Sequence, residues 1–344
     1  MTTRRFPAEW EPQQGIVLCF PHNGNDWPGK YAAVQWAFVE FIKKIATQET
    51  VFLVVADDHI KEKVSAMLAL ATVNLKQISF IIQKTNRSWM RDSGPIIVKN
   101  GAEREALNFN FNAWAKYPNW QLDKHVPNAL AQYLDLPLTQ VVYNGKKVVL
   151  EGGALEVNGK GTLITSEECL LDPKIQVRNP NFTKADYEAI FARYLGVTHT
   201  IWLKDGIVGD DTHGHIDDLC RFVNEDTVVT VIEENQNDNN YKPLQENLKR
   251  LQEATLADGK PLKIATLPMP KSIVFDGLQL PASYANFLIL NHTVLVPTFN
   301  DANDRIALNT IASCFPDREI IGMNCIDFIW GFGTLHCLSQ QVPS

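Results

Sequence analysis

The chain has no long apolar run, no basic excess and no paired-cysteine spacing, and each absence removes a class of protein. Apolar stretches such as residues 51–56 have strand length and are far too short to cross a bilayer. The opening segment, MTTRRFPAEWEPQQG, carries two arginines with no apolar stretch behind them, so it does not read as a secretory signal. A cytoplasmic location and no membrane partner are therefore expected. Lysine and arginine total 32 against 39 aspartates and glutamates, a net charge of −7 at pH 7. That balance offers no footprint for a phosphate backbone, and nucleic acid is not an expected partner. Cysteines stand at 19, 169, 220, 314, 325 and 337 without a CxxC pair, which argues against a disulfide framework. Low-complexity tracts and long linkers are also missing. No composition shift marks a boundary, so residues 1–344 are expected to form a single domain.

What is present is an order of elements. Strand-like runs at residues 15–20, 50–55 and 78–82 alternate with amphipathic helical stretches at 32–45 and 59–70. A strand–turn–strand pattern then recurs at residues 92–111, 153–165, 216–232 and 284–297, each with polar turn chemistry such as Asn100-Gly101. Helices are expected at 123–133, 184–195, 244–253 and 302–313. The unit is strand–strand–helix–strand, repeated about five times at a period of roughly 60–70 residues, as a ring of equivalent units would require. The last strand, near residues 335–340, has no hairpin partner downstream and could pair with residues 15–20. An open α/β sheet with recurring hairpins is the plainer alternative.

Chemistry-bearing residues collect at the start of each hairpin: Trp89 to Asp92, Glu151-Gly152-Gly153, His213 to Asp217, Tyr284-Ala285-Asn286, and His336-Cys337. A ring would bring these equivalent positions to one pocket. Cys337 alone reads as a buried edge-strand cysteine, because a nucleophilic thiolate needs a base or a positive neighbour. In a strand, His215 and Asp217 would share a face, placing a near-neutral acid–base group beside a carboxylate. His213, His215, Asp217 and Cys220 invite a zinc reading. However, their spacing fits no Cys2His2 finger, there is no HExxH, and residue 220 falls off the shared strand face, so no metal is expected. Asp92 could clamp a planar cation through paired N–H bonds, with Trp89 stacked against it. Plain turn salt bridging by Arg91 and Asp92 is the alternative.

The stretches WMRDSGP (89–95), LEGG (150–153), TSEECLLDP (165–173), HGHIDD (213–218), SYANFLI (283–289) and LHCLSQQVP (335–343), with PAEWEPQQG (7–15), resemble the agmatine deiminase and bacterial-type peptidyl-arginine deiminase family. The likeness runs from about Pro7 to Pro343. It implies the pentein fold, a five-bladed α/β propeller of pseudo-fivefold ββαβ repeats. It also implies a hydrolase acting on a small cationic guanidino substrate without a cofactor. By the same likeness Cys337 is the nucleophile and His215 the general acid and base. Asp92 and Asp217 are the guanidinium-binding carboxylates, and Glu151 belongs to the same site. Trp89, Asp211 and Asn286 are expected at the substrate. Asp210 is a further candidate for a distal amine, and Lys146 or Lys147 for the carboxylate of an arginine-like substrate. Agmatine is the first expectation; free or peptidyl arginine, and a non-catalytic binding scaffold, are the alternatives. Members often form dimers, so a homodimer is an expectation from resemblance alone. The chain departs from the family at WGFGTLHC, where a glycine run and an asparagine are common. Others are His213 for asparagine, Asp211 for glutamate and Gln13 for histidine; all bear on the distal end of the substrate.

Overall fold

The computed structural model describes residues 4–344. Five sheets of three or four strands carry the architecture, and four of them share one construction. An antiparallel hairpin is followed by a helix, and the helix leads to a strand parallel to the hairpin's second strand. Glu156–Val157, Thr162–Ser166 and His199–Leu203 form one such sheet, and Cys220–Phe222, Thr227–Ile232 and Lys263–Pro268 another. Leu288–Ile289, Thr293–Thr298 and Glu319–Asn324 form a third. In the fourth, Ile96–Asn100, Glu103–Asn108 and Leu138–Gln140 repeat the pattern, with Arg4–Arg5 added at the edge.

The fifth sheet joins the two ends of the chain. Gln13–Cys19 pairs in parallel with Thr50–Val55, which pairs with Ile78–Ile82, while Ser339–Pro343 supplies the antiparallel partner, with Val17 opposite Gln340. The pairing of last strand with first, expected from the orphaned C-terminal strand, is present. Gln13–Cys19 and Thr50–Val55 are buried over nearly every residue, as strands covered on both faces must be. Tyr31–Ile45 covers this sheet with Val34, Phe38, Phe41, Ile42 and Ile45.

Helix ends follow local chemistry. Asp57 accepts the Ile60 N–H ahead of Asp58–Leu70, and Thr183 with Asp186 forms a reciprocal capping box ahead of Lys184–Ile190. Among the described residues no helix is long and apolar enough to cross a membrane.

The structure corrects the expected strands at the hairpin entrances. Residues 90–93 form one helical turn, as do 152–154 and 216–218, and the strand expected from 284 is confined to Leu288–Ile289. His215 and Asp217 therefore do not share a strand face. His213 and Gly214 both have positive φ, and the Asp210 carboxylate accepts the N–H groups of Gly214 (2.7 Å) and His215 (3.0 Å). That side chain-to-backbone turn breaks the strand before it starts. The consequence is useful: a helical turn can send consecutive polar side chains inward, whereas a strand would turn every second one away.

Candidate active site

A cavity of about 360 Å³ opens where the hairpin entrances meet, with Asp92 and Cys337 at its base. Trp89, Trp114 and Tyr117 are among its aromatic lining, and Asp26, Arg87 and Asp211 are the other charged side chains that line it. Trp114 arrives by an unusual route: Ala113, Trp114 and Ala115 all have positive φ, held by the Asn112 side chain accepting the Ala115 N–H at 2.9 Å. Three non-glycine residues in that region store strain of the kind that clusters at functional sites. The strain aims the indole N–H at Asp92 Oδ2, 2.8 Å away.

Cys337 is held from below. Its sulfur is 3.0 Å from Asn286 Nδ2 and 3.6 Å from Asp217 Oδ2. The Asn286 amide orientation is fixed, because its Oδ1 accepts from Thr334 Oγ1, His336 N and Cys337 N, while Nδ2 also donates to Asp218. Asn286, expected at the substrate, thus lies behind the thiol and is not part of the cavity lining. Burial, followed by Asp217, Asp218 and Asp92, pushes the Cys337 pKa well above the ordinary thiol value. The resting group is therefore a thiol.

His215 is fully enclosed, 3.8 Å from Asp92 Oδ1 and 3.9 Å from Glu151 Oε2. Burial disfavours its charge, but Asp92, then the Cys169 and Glu151 side chains, raise its pKa well above the usual value. It is an imidazolium at neutral pH. Glu151 accepts from Arg178 Nε at 3.2 Å, and Arg178 with His215 outweighs burial and holds it down at about 2. Burial, reinforced by Glu151 and Asp217 against His215, lifts Asp92 to about 6. Asp217 is lowered despite burial, chiefly through His336. Gly153 donates its N–H to Asp92 at 3.2 Å and leaves room for the imidazole. A Cβ there would stand 2.9 Å from His215 Cε1 and 3.0 Å from Asp92 Oδ1.

Several buried polar atoms are left without a partner: Asp217 Oδ1, Glu151 Oε2 and both ring nitrogens of His215. Among the described residues these two orphaned carboxylate oxygens, in a cluster of four carboxylates (Asp92, Glu151, Asp217 and Asp218), call for a cationic hydrogen-bond donor, while the imidazolium N–H groups call for an acceptor. Donor atoms of Glu151, Cys169 and His215, and of Asp217, Asp218 and Cys337, also lie within 4.8 Å of one another. Either set could approach a metal ion, although Arg178 already stands against Glu151, and Asn286 against Asp218 and Cys337.

The model of the Porphyromonas-type peptidyl-arginine deiminases matches residues 5–343. This chain belongs to that family. A curated relative from Yersinia pseudotuberculosis, provisionally named an agmatine deiminase, is 33% identical over 362 residues, covering 98% of this chain and 95% of its own. The solved agmatine deiminase of Enterococcus faecalis superposes with a TM-score of 0.92 at 32% identity, covering 99% of this chain and 96% of that one. A cysteine-to-serine variant of the C. jejuni agmatine deiminase, solved with substrate bound, gives 0.88 at 29% identity, covering 99% and 96%. The mixed α/β fold is that of these deiminases.

Within this deiminase-family chain, the structure brings Cys337, His215, Asp92, Asp217 and Glu151 into one buried cluster, with Trp89 in the wall. Asp211 lines the cavity but is already engaged by Lys116 Nζ (2.7 Å) and Tyr117 Oη (2.8 Å). Two expectations for the distal end are corrected. Asp210 is occupied by the backbone of Thr212, Gly214 and His215. Lys146 and Lys147 sit exposed on a small hairpin and are absent from the cavity lining. The sequence reading missed Trp114, Arg178 and Asp218. Trp114 carries no motif signal, since its role depends on a left-handed turn. Arg178 lies five residues beyond the TSEECLLDP stretch, and Asp218 closes the HGHIDD stretch as an unweighed neighbour of Asp217.

Proposed function

We propose that the protein is an agmatine deiminase, hydrolysing the guanidinium of agmatine to N-carbamoylputrescine and ammonia. The observation that carries this reading is the buried, unpartnered carboxylate oxygen set facing a thiol and an imidazolium. A flat cation carrying several N–H donors answers the carboxylates together and sets its carbon between the thiol and the imidazolium.

Asp92 and Asp217 hold the guanidinium and fix its carbon beside the Cys337 sulfur. The substrate's charge offsets the carboxylates that keep the thiol protonated, so the thiol proton is lost to water as substrate binds. Thiolate attack forms the C–S bond and a neutral tetrahedral adduct. His215 gives its proton to one nitrogen, the C–N bond breaks, and ammonia leaves behind an amidino-thioether cation. Neutral His215 then takes a proton from water while the hydroxyl oxygen adds to the carbon. Collapse of this second adduct breaks the C–S bond, forms the urea carbonyl and releases one proton, which leaves with ammonia as ammonium, while the Cys337 thiolate takes back from water the proton it lost on substrate binding. Water is the only co-reactant.

Three acidic side chains line the cavity (Asp26, Asp92 and Asp211) against one cation, Arg87. Arg87 is itself paired with Asp26 at 2.8 Å and Asn119 at 3.0 Å. Asp211 is likewise paired with Lys116, so the preference for agmatine over arginine rests on the likeness to the solved agmatine deiminases. We also infer that the five sheets close as a five-bladed ring in one domain over residues 1–344; the pairing of the terminal strands supports it. Ammonia release from agmatine, arginine and an arginine peptide tests the substrate. Turnover confined to agmatine is expected, and turnover of the peptide alone would overturn the assignment. Cys337→Ser is expected to release no ammonia; substantial residual turnover would remove the nucleophile.

A further inference from the structure

The mechanism above leaves out Glu9 and His336, though both are buried. His336 precedes the nucleophile, while Glu9 lies in the N-terminal PAEWEPQQG stretch, 327 residues earlier. The His336 ring bridges two carboxylates, with Nδ1 2.7 Å from Asp217 Oδ2 and Nε2 2.9 Å from Glu9 Oε2. Glu9 is anchored on its other side, accepting Arg221 Nη2 at 2.6 Å and the Ile289 N–H at 2.8 Å. Asp217 Oδ2 in turn lies 3.6 Å from the Cys337 sulfur. A neutral imidazole has one N–H and can donate to only one of two acceptors. Two ionised carboxylates on one ring therefore demand an additional proton, on the ring or shared with a carboxylate. Without it, a bare ring nitrogen would face a buried carboxylate lone pair, which is costly away from water.

We propose that Glu9, acting through His336, is a positioning residue that keeps this additional proton against Asp217, fixing both the orientation and the charge that the Cys337 sulfur meets. The inference rests on Cys337 being the nucleophile. The charged groups around the relay divide into two camps. Burial, then Arg221 and Arg91, oppose a charge on His336, while Glu9 and Asp217 favour it. Arg221 is shared with Glu156 at 2.8 Å, and Arg91 Nε donates to the His336 carbonyl at 3.2 Å. His215 lowers the Asp217 pKa as well, and Asp218 is a further acidic neighbour of Asp217. Neutralising Glu9 leaves Asp217 alone to favour the ring's charge against burial and the two arginines, of which Arg221 keeps Glu156. The proton then departs, and Asp217 faces the sulfur with its full charge.

The readout is the ionisation of the thiol itself. Alkylation of Cys337 by iodoacetamide, quantified on its own peptide by mass spectrometry across a pH series, is compared in wild type, Glu9→Gln and Glu156→Gln. The second variant removes a charge from the same arginine without touching His336. Glu9→Gln is expected to raise the apparent pKa of the thiol by about one unit, slowing alkylation about tenfold below that pKa. It should also lower kcat without raising KM for agmatine. Glu156→Gln should leave the alkylation profile in place. His336→Asn keeps a donor where Nδ1–H stood but cuts the link to Glu9; it should reproduce the shift and stands in if Glu9→Gln does not fold. Wild-type alkylation profiles in both relay variants would overturn the proposal, as would an equal shift in Glu156→Gln. Because labelling needs no turnover, activity surviving in Cys337→Ser would remove the nucleophile assignment while the alkylation data still judged the relay.

Discussion

The acid limb of the pH profile should belong to Asp92, and Trp114 should control where it falls. Only the ionised carboxylate attracts a guanidinium, so kcat/KM is lost as pH drops through the Asp92 pKa of about 6. His215, raised well above its usual value, stays protonated throughout this range and adds no limb of its own. Between about pH 7 and pH 5, the ionised fraction for such a group falls about tenfold. Trp114→Phe keeps the aromatic ring and removes the N–H that donates to Asp92 at 2.8 Å. A hydrogen bond to a charged group contributes about 1.5–3 kcal/mol. At about 1.36 kcal/mol per unit, the pKa should rise by about one to two units. The limb then moves from about 6 to between about 7 and 8, and kcat/KM at neutral pH falls severalfold but recovers at alkaline pH. Initial rates of ammonia release at low agmatine concentration, measured from pH 5 to 9, report the free enzyme. A Trp114→Phe midpoint coinciding with that of wild type would refute the argument. So would a uniform loss at all pH values, because removing a mere packing contact would not move a titration.

Gly153→Ala places a methyl group against His215 and Asp92 together, so kcat should fall by about 100-fold and stability by about 1–3 kcal/mol; near-normal kcat would show that the imidazole position is not critical. Asp211→Asn removes an acidic charge at the cavity wall, and KM for agmatine should rise severalfold with kcat nearly unchanged, as steady-state kinetics would show. Arg178 and Glu151 form a pair with both side chains wholly buried. Arg178→Gln strands the carboxylate and should cost about 3–5 kcal/mol in urea unfolding; a loss below about 1 kcal/mol would mean the pair is solvated. In Cys337→Ser, the product N-carbamoylputrescine, whose urea end is uncharged, should bind at least about 100-fold more weakly than agmatine by calorimetry, since that end cannot satisfy two carboxylates with charged donors.

The positions that chemistry demands were legible because polar residues recur at the same place in each repeated unit. Asp92, Glu151, His215 and Cys337 stand at hairpin entrances in the sequence, and the structure gathers them into one buried cluster, of which Asp92 and Cys337 line the cavity. Helices 31–45, 58–70 and 241–253 were readable from apolar periodicity, which is strong over three or more turns. The entrances themselves were misread as strands. A two- or three-residue apolar run after a polar turn is equally compatible with a helical turn, and the deciding bond, from Asp210 to the His215 N–H, leaves no periodic trace. Partners joined across the fold were invisible for a different reason. Trp114 reaches Asp92 only through three consecutive left-handed residues, and Glu9 reaches His336 only because the chain ends share a sheet. Neither Trp114 nor Glu9 is more than an ordinary core residue until the backbone path is known.

The electrostatics of the site explain why its parts are so poorly satisfied without a ligand. Asp217 Oδ1 and Glu151 Oε2 lack partners in a buried setting, and Asp92 is forced up to about 6 by burial and by its acidic neighbours. Each is a cost to the folded state, because a buried carboxylate without a full set of donors is less stable than one in water. A guanidinium relieves all three together, so the energy held in these groups is returned on binding. The returned energy is also selective in time. On the proposed mechanism the positive charge is present in the bound guanidinium and again in the amidino-thioether, and it is gone from the reacting carbon once the urea carbonyl forms. At that moment the carboxylates lose the charge they were arranged to hold, and the uncharged urea end of the product is left in a pocket that no longer favours it. The strain that recruits the substrate therefore also drives product release, and one set of carboxylates serves both ends of the cycle.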